Sequence, residues 1–251
     1  MTVSSKTNPV IKDTLRLRMA KYRRAEGLHF AESDKLVKEI LSSGCAVERL
    51  FAEEGFPLPA GCEDIDTVTV TREIMEYLCE SETPQHLCAV VRTPATEPPA
   101  RYPDGLTVAL DTLQDTGNLG TVIRTADALG ASGILLGSGC ADPFGAKALR
   151  AAMGSTYHVP LWRGRLEDEL PRMKKEGFCC VCGHLKGSET LPPIGAKTVL
   201  VIGNEGNGVS DAVAAHCELY RLPMRGRAES LNAAIAAAIL MYEISGRIPQ
   251  A

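Results

Sequence analysis

From residue 106 to the end of the chain, short apolar runs alternate with segments of helical period, and few architectures accept that order. Residues 106–110, 133–136, 158–161, 178–182, 198–202 and 218–222 read as strands, and residues 119–129, 145–153, 166–176 and 231–244 as helices. In the first of these helices Leu119, Val122, Ile123, Ala126 and Leu129 share one stripe, and Gly130 stands just past its end. The run 198–202 is apolar at nearly every position, as a central parallel strand buried on both faces must be. The alternation predicts an α/β fold: a parallel sheet covered by helices on both sides.

Before it, Pro94, Pro98, Pro99 and Pro103 interrupt a stretch without apolar period, which reads as a linker over residues 93–105. Residues 1–92 read as a smaller α/β domain. Residues 10–24 have helical pattern and residues 28–31 look extended. Ser33 can cap a helix that places Leu36, Val37, Ile40 and Leu41 on one face and stops at Gly44. A strand at 68–70, a helix at 72–79 and a strand at 87–91 follow. The expected division is therefore 1–92, linker 93–105, and 106–251, with no internal repeat.

Composition removes several classes. With 45% hydrophobic residues the chain has enough apolar side chain to build a core, so disorder is excluded. The longest weakly polar run, residues 231–242, falls short of the ~20 residues of a membrane span, and residues 1–8 are too polar for a signal segment. No membrane partner is expected, and the location is expected to be cytoplasmic. The net charge of −4 hides a division. Residues 1–24 carry seven basic residues against one acid, and residues 25–100 carry fifteen acids against five basic residues; the remainder is balanced. The basic opening suits nucleic acid, with Lys12, Arg16, Lys21 and Arg23 as candidate contacts; a solvated helix face explains it equally simply. Nine cysteines fit no disulfide framework and are expected as reduced thiols. Cys179, Cys180 and Cys182, followed by His184, lie on a predicted strand where residues three apart face opposite ways, so no metal site is expected.

Three loops at strand ends hold the polar residues, where open α/β sheets bind ligands. The first leads through Asn118 and Gly120 to Arg124. Arg124 also fits a surface ion pair with Asp127, and Asn118 a helix cap. The second is Gly203-Asn204-Glu205-Gly206-Asn207-Gly208, whose glycines let backbone approach a ligand closely. Its spacing is the reverse of the dinucleotide fingerprint, and Glu205 would repel phosphates, which points to a ligand with a positive or neutral reactive part. The third runs from Leu222-Pro223-Met224 to Ser230-Leu231-Asn232, with Ser230 expected as helix N-cap and Asn232 in the first turn.

Together and in this order, Asn118-x-Gly120-x-x-x-Arg124, Gly203-Asn204-Glu205-Gly206 and Ser230-Leu231-Asn232 resemble the three signature motifs of the SpoU (TrmH-like) RNA 2′-O-ribose methyltransferases of the SPOUT superfamily. The segment 146–155, with Lys147 and Arg150, resembles the basic stretch of that family, and residues 8–32 resemble the small L30e-like substrate-binding domain that precedes the catalytic domain in members acting on ribosomal RNA. Two places depart from the pattern: Ser33 stands where Gly usually follows Glu32, and Ala233-Ala234-Ile235 is smaller than usual.

The resemblance implies a carboxy-terminal trefoil knot, a homodimer, and S-adenosylmethionine as cofactor, held by Leu200, Ile202, Gly203, Asn204, Gly206, Leu222, Pro223, Met224, Ser230 and Leu231. It implies Asn118, Arg124, Glu205, Ser230 and Asn232 as catalytic residues, and Arg150 beside the basic opening as an RNA contact. A guanidinium is protonated at neutral pH, so Arg124 is expected to hold the phosphate and stabilise the developing alkoxide, with Glu205 positioning Arg124 or helping with the proton. The expected substrate is RNA, 23S ribosomal RNA ahead of transfer RNA. Two other readings stand beside it: a non-catalytic RNA-binding or ribosome-assembly module, and a nicotinamide-dependent oxidoreductase, against which the reversed glycine spacing counts.

Overall fold

A computed structural model describes residues 2–249, so the outermost ends of the two expected domains, residues 1 and 250–251, lie outside the described residues. The chain divides into two compact units, Met1–Pro94 with Asp142–Tyr157, and Ala95–Ala141 with His158–Ala251.

The first unit is built on a four-stranded sheet of β1 (Leu28–Glu32), β2 (Val47–Glu53), β3 (Thr67–Val70) and β4 (Leu87–Arg92), ordered β1-β4-β2-β3. β4 runs antiparallel to both β1 and β2, and β3 parallel to β2. Side chains alternate across each strand. Phe30, Phe51, Cys88 and Val90 face Ile11 of α1 (Pro9–Arg16) and Ile74, Met75 and Leu78 of α4 (Arg72–Leu78). Ala31, Leu50, Ala52 and Ala89 face Leu36, Val37 and Ile40 of α3 (Asp34–Ser43). β2, absent from the sequence reading, has a charged outer end, and only its Leu50, Phe51 and Ala52 are buried.

The helix expected over residues 10–24 is two helices, α1 and α2 (Ala20–Glu26), with Met19 extended between them. Arg23 explains the break. Its guanidinium donates to the carbonyls of Leu17 and Arg18, both at 2.8 Å, so backbone groups freed at the end of α1 are satisfied by a side chain instead of a further turn. The same group donates to Asp142 at 2.6 and 2.9 Å.

Asp142 begins the segment that departs from the expected division. Residues 142–157 belong by sequence to the second domain but pack in the first unit. Besides the Arg23–Asp142 pair, Leu149 of α6 (Ala146–Ala152) enters the core beside Leu36 and Val37, and Tyr157 Oη lies 2.7 Å from Nε2 of the fully buried His29. Burial pulls the His29 pKa down to about 3, so the ring is neutral and bridges Tyr157 to Thr93.

The second unit carries a six-stranded, wholly parallel sheet, ordered β10-β8-β9-β5-β6-β7. Its strands are β5 (Gly105–Leu110), β6 (Gly133–Leu136), β7 (Leu161–Arg163), β8 (Cys179–Ser188), β9 (Lys197–Ile202) and β10 (Glu218–Tyr220). Ala109, Leu135, Cys180, Cys182, Val199 and Val201 line the face packed by α7 (Leu166–Lys175) and α8 (Asp211–Ala214). The opposite face is covered by α5 (Thr116–Ala128) and α9 (Ala233–Ser245), which also pack on each other. The expected α/β fold with a parallel, helix-covered sheet is therefore present.

Residues 95–105 are not a free linker. Tyr102 is fully buried against Trp162 and Phe178, Thr96 accepts from the Arg163 backbone, and Pro99 accepts from Arg172. An aromatic anchor among prolines gives this stretch a packed course without any apolar period. Burial pushes the thiols of Cys180 and Cys182 up to about 11 and about 12, so both are small apolar core groups.

Candidate active site

The carboxyl ends of β5, β8, β9 and β10 lie side by side in the parallel sheet, so the loops that leave them meet. Three hydrogen-bonded groups join these loops. Asp111, at the end of β5, accepts from the Ser210 backbone at 2.8 Å. Asn204 donates its side-chain amide to the Thr112 carbonyl at 2.8 Å and accepts from Gly206 and Asn207, which folds the loop back on itself. Gly203 makes that fold possible: a Cβ there would stand 2.1 Å from the Gly208 carbonyl carbon, so no other residue fits.

Glu205 is the third. Its carboxylate accepts from the backbone N–H of Gln114 (3.3 Å) and Asp115 (3.0 Å) and from the amides of Asn118 (3.1 Å) and Asn204 (3.4 Å). Partial burial pushes its pKa up, but the Asn118 amide and the backbone donors outweigh it and hold the carboxyl below the usual range. Asn118 then accepts from the Asn232 amide at 3.1 Å, and Asn232 caps α9 by accepting from Ala234 and Ile235. One continuous chain, Glu205–Asn118–Asn232, thus ties together the three motif loops.

Several expected details change here. The cap of α9 is Asn232, not Ser230, whose hydroxyl has no protein partner among the described residues. The cap of α5 is Asp115, which accepts from the Asn118 backbone at 2.7 Å and leaves the Asn118 side chain free for Glu205 and Asn232. Glu205 does not position Arg124. Arg124 is exposed one turn along α5 and has no polar partner among the described residues. Nor does it pair with Asp127, which lies 3.0 Å from the ring of His158 instead.

Beside the chain lies a cleft of about 470 Å³, within the range of small-molecule sites. Ile202, Gly203, Asn204, Gly206, Leu222, Met224, Ser230 and Leu231 all line it. Leu200 does not; it is fully buried inside β9, one layer below the loop. Pro223 is outside the wall as well. The sequence reading missed the wall formed by residues 183–186, where His184 and Lys186 follow the buried run of β8, and Leu240 of α9. The signal was the Gly183-His184 pair at the end of the apolar run 178–182, where β8 leaves its register with β9 and continues to Ser188 opposite Tyr220 of β10.

The cleft fits an adenosyl cofactor with a cationic centre. Ile202, Leu222 and Leu240 offer an apolar bed for a purine. Among the described residues no protein acceptor takes the backbone N–H of Leu222, Met224 or Leu231, which leaves donors for purine and ribose. Glu205, hydrogen-bonded at the motif end of the cleft, has its carboxyl held below the usual carboxylate range. Among the described residues no cluster of His, Cys, Asp or Glu is arranged to hold a metal ion.

The match to known families agrees with this geometry and extends it. Residues 105–242 match the model of the SpoU rRNA methylase family. The chain belongs to that family. Residues 8–89 match the MRM3-like substrate binding domain, and Asp142–Tyr157 thus lies inside the SpoU match while packing with the first unit. The chain is 35% identical to the 23S rRNA (guanosine(2553)-2′-O)-methyltransferase RlmP of Bacillus subtilis, over 97% of this chain and 99% of that one. An AdoMet-bound rRNA methyltransferase from Sinorhizobium meliloti superposes with TM-score 0.89 at 32% identity, covering 100% of this SpoU-family chain and 99% of the other. AviRb of Streptomyces viridochromogenes, in complex with AdoMet, superposes with TM-score 0.82 at 27% identity, covering 96% and 98%.

Proposed function

We propose that this chain transfers a methyl group from S-adenosylmethionine to a ribose 2′-hydroxyl of RNA, with 23S ribosomal RNA as the substrate class. The observation that carries this reading is the Glu205–Asn118–Asn232 chain beside the cleft, because a binding module has no need to hold three separate loops in one hydrogen-bonded register. The relatives acting on 23S rRNA and the AdoMet-bound neighbours support substrate and cofactor.

When bound, S-adenosylmethionine supplies an electrophilic methyl group on a sulfonium. Residues 202–206, Leu222, Met224 and Leu231, which line the cleft, would hold it, and the Ser230 hydroxyl would meet cofactor or ribose. Glu205 is a positioning residue: four donors already occupy its carboxylate and hold it ionised, which makes it a poor proton acceptor. It fixes Asn118, and Asn118 with Asn232 sets the approach of the target ribose. Arg124, exposed and without a polar partner among the described residues, offers its N–H donors to the RNA phosphate and to the 2′-oxygen, which gains charge as its proton passes to solvent water. Holding the oxygen in line with the methyl is mostly positioning, so rigid loops matter more than an added base.

The same reading includes three finer features. A trefoil knot in residues 106–251 is supported by β10 lying outside β8 and by Gly187, where a Cβ would stand 2.6 Å from the Leu219 carbonyl carbon as the two chain segments pass. A homodimer is supported by Ile235, Ile239 and Tyr242 of α9, exposed by 50%, 44% and 74% at spacings of four and three, a stripe that suits a second copy. An L30e-like role in RNA binding for residues 1–92 is supported by the four-stranded sheet and the MRM3-like match. No described helix is long and apolar enough to cross a membrane. A cytoplasmic location accords with a ribosomal RNA substrate.

The test is to map 2′-O-methyl sites in total RNA from cells with and without this protein. Loss of one site in 23S rRNA, restored by the wild-type chain, is expected. Loss in transfer RNA would move the substrate class, and an unchanged map together with no transfer in vitro would overturn the reading.

A further inference from the structure

The first unit holds a pocket of its own, about 260 Å³, which the transfer reaction does not use. Its apolar lining is Leu36 of α3, Leu149 of α6 and the half-exposed Met153. Two cations stand on its wall. Lys35 is exposed and has no polar partner among the described residues. Arg150 gives one N–H to Glu32 at 3.4 Å, and its other donors meet no protein acceptor among the described residues. The acid in the wall, Glu32, pairs with Arg150 and leaves the wall one net positive charge. Glu32 is buried, and its carboxylate is already held by the backbone N–H of Glu80 (2.8 Å) and Ser81 (3.2 Å) as well as by Arg150.

We infer that this pocket takes one unpaired nucleotide of the RNA, with the base against Leu36, Leu149 and Met153 and the phosphate on Lys35 and Arg150. The inference rests on the RNA reading above and adds a subsite to it. The volume is short of the roughly 300–1,000 Å³ that whole small-molecule ligands occupy, so it suits one moiety of a polymer held by its neighbours. A base within a duplex has its faces covered by stacking and cannot lie against a side-chain wall, whereas exposed single-stranded bases are what proteins read in RNA. Methionine adapts its shape, so the pocket tolerates more than one base. The pocket also gives a reason for the packing of residues 142–157 in this unit: without them Leu149, Arg150 and Met153 are missing.

The experiment is fluorescence anisotropy on the full chain with a labelled, mixed-sequence 12-nucleotide single-stranded RNA, and with the same strand annealed to its complement. Lys35→Ala and Arg150→Gln are each expected to weaken single-strand binding about five- to tenfold and to lower the slope of log K against log salt by about 0.7 per lost phosphate contact. Binding to the duplex should change less than twofold. S-adenosylmethionine affinity, read by titration calorimetry, should be unchanged and reports folding. Lys35 has no polar partner among the described residues, so Lys35→Ala decides the matter even if Arg150→Gln disturbs Glu32. An unchanged affinity and salt slope in Lys35→Ala, or a wild-type preference for the duplex, overturns the subsite. Absence of methyl transfer by a wild-type chain that still binds single strands through Lys35 overturns the enzyme reading alone.

Discussion

Arg23 is the residue for which structure and sequence make opposite predictions. As one of seven cations in the basic opening it would be an RNA contact, and its removal would weaken binding while leaving the fold intact. In the structure its side chain is 9% exposed, and Asp142 opposite is 13% exposed. Arg23→Ala removes two hydrogen bonds to the Asp142 carboxylate and two to the carbonyls that end α1. Breaking a buried pair from one side costs about 3–5 kcal/mol, because the remaining charge stays desolvated. Both Asp142 and the end of α1 keep some access to water, so about 3 kcal/mol is the better figure. For a chain of this length that lowers Tm by roughly 6–12 °C, read by calorimetry on the full chain. Arg16→Ala, on an exposed side chain, is the control and should stay within about 0.5 kcal/mol. Combining Arg23→Ala with Asp142→Ala should cost less than the sum of the two, since the pair is lost once. RNA affinity is measured well below both transitions, at fixed salt. An Arg23→Ala chain that melts with the wild type but binds RNA more weakly would refute the structural role and restore the sequence reading.

Arg124→Ala should lower methyl transfer by about 10²–10³ with cofactor affinity unchanged, since it removes a charged donor from the developing oxyanion; full activity would dismiss the assignment. Glu205→Gln swaps an acceptor for a donor among four donors and should loosen the motif loops by about 1–2 kcal/mol, read as a fall in kcat larger than the rise in KM. The Glu205 carboxyl titrates below its unfolded value of about 4.3, so its contribution is full above that pH and is lost as pH falls through the lower, folded value. The stability gap between wild type and Glu205→Gln should therefore close in urea titrations at the most acidic pH and be constant from pH 5 upward. Ser33 sits at φ +99°, ψ 143°, where a side chain is strained, while its hydroxyl caps Leu36 at 3.3 Å. Ser33→Gly relieves the strain and gives up the hydroxyl cap, a loss of about a few tenths of a kcal/mol at a helix start, so about 1 kcal/mol of net stabilisation is expected in denaturant unfolding. The proposed homodimer predicts that the wild type sediments as a dimer and Ile239→Asp as a monomer in analytical ultracentrifugation, without loss of monomer stability, because Ile239 is 44% exposed in the single chain.

Local chemistry is what the sequence could carry. The parallel sheet was legible because buried strands such as residues 198–202 are apolar throughout and helices such as α5 keep a stripe of period 3.6, both properties of neighbouring residues. The polar loops were legible from their place at strand ends, and the motif residues within them from their resemblance, taken in order, to the SpoU signature motifs. β2 was not legible, since a strand with one charged end shows neither full burial nor clean alternation. Nor were the true caps: Asp115 and Asn232 were each one choice among several polar residues at a helix start, and the winner is decided by which others are drawn to a distant loop. Asn118 is held by Glu205 and Asn232, 87 and 114 residues away in sequence. Net charge misled for the same reason. It counts Arg23 with the exposed cations, yet burial against Asp142, 119 residues further on, turns that charge into a clamp. Composition and period fixed the class of fold and the identity of the polar loops by themselves. Which charges face water, which loops share a hydrogen bond and which unit keeps residues 142–157 were decided only in three dimensions, because desolvation and hydrogen bonding depend on neighbours in space and not on neighbours in the chain.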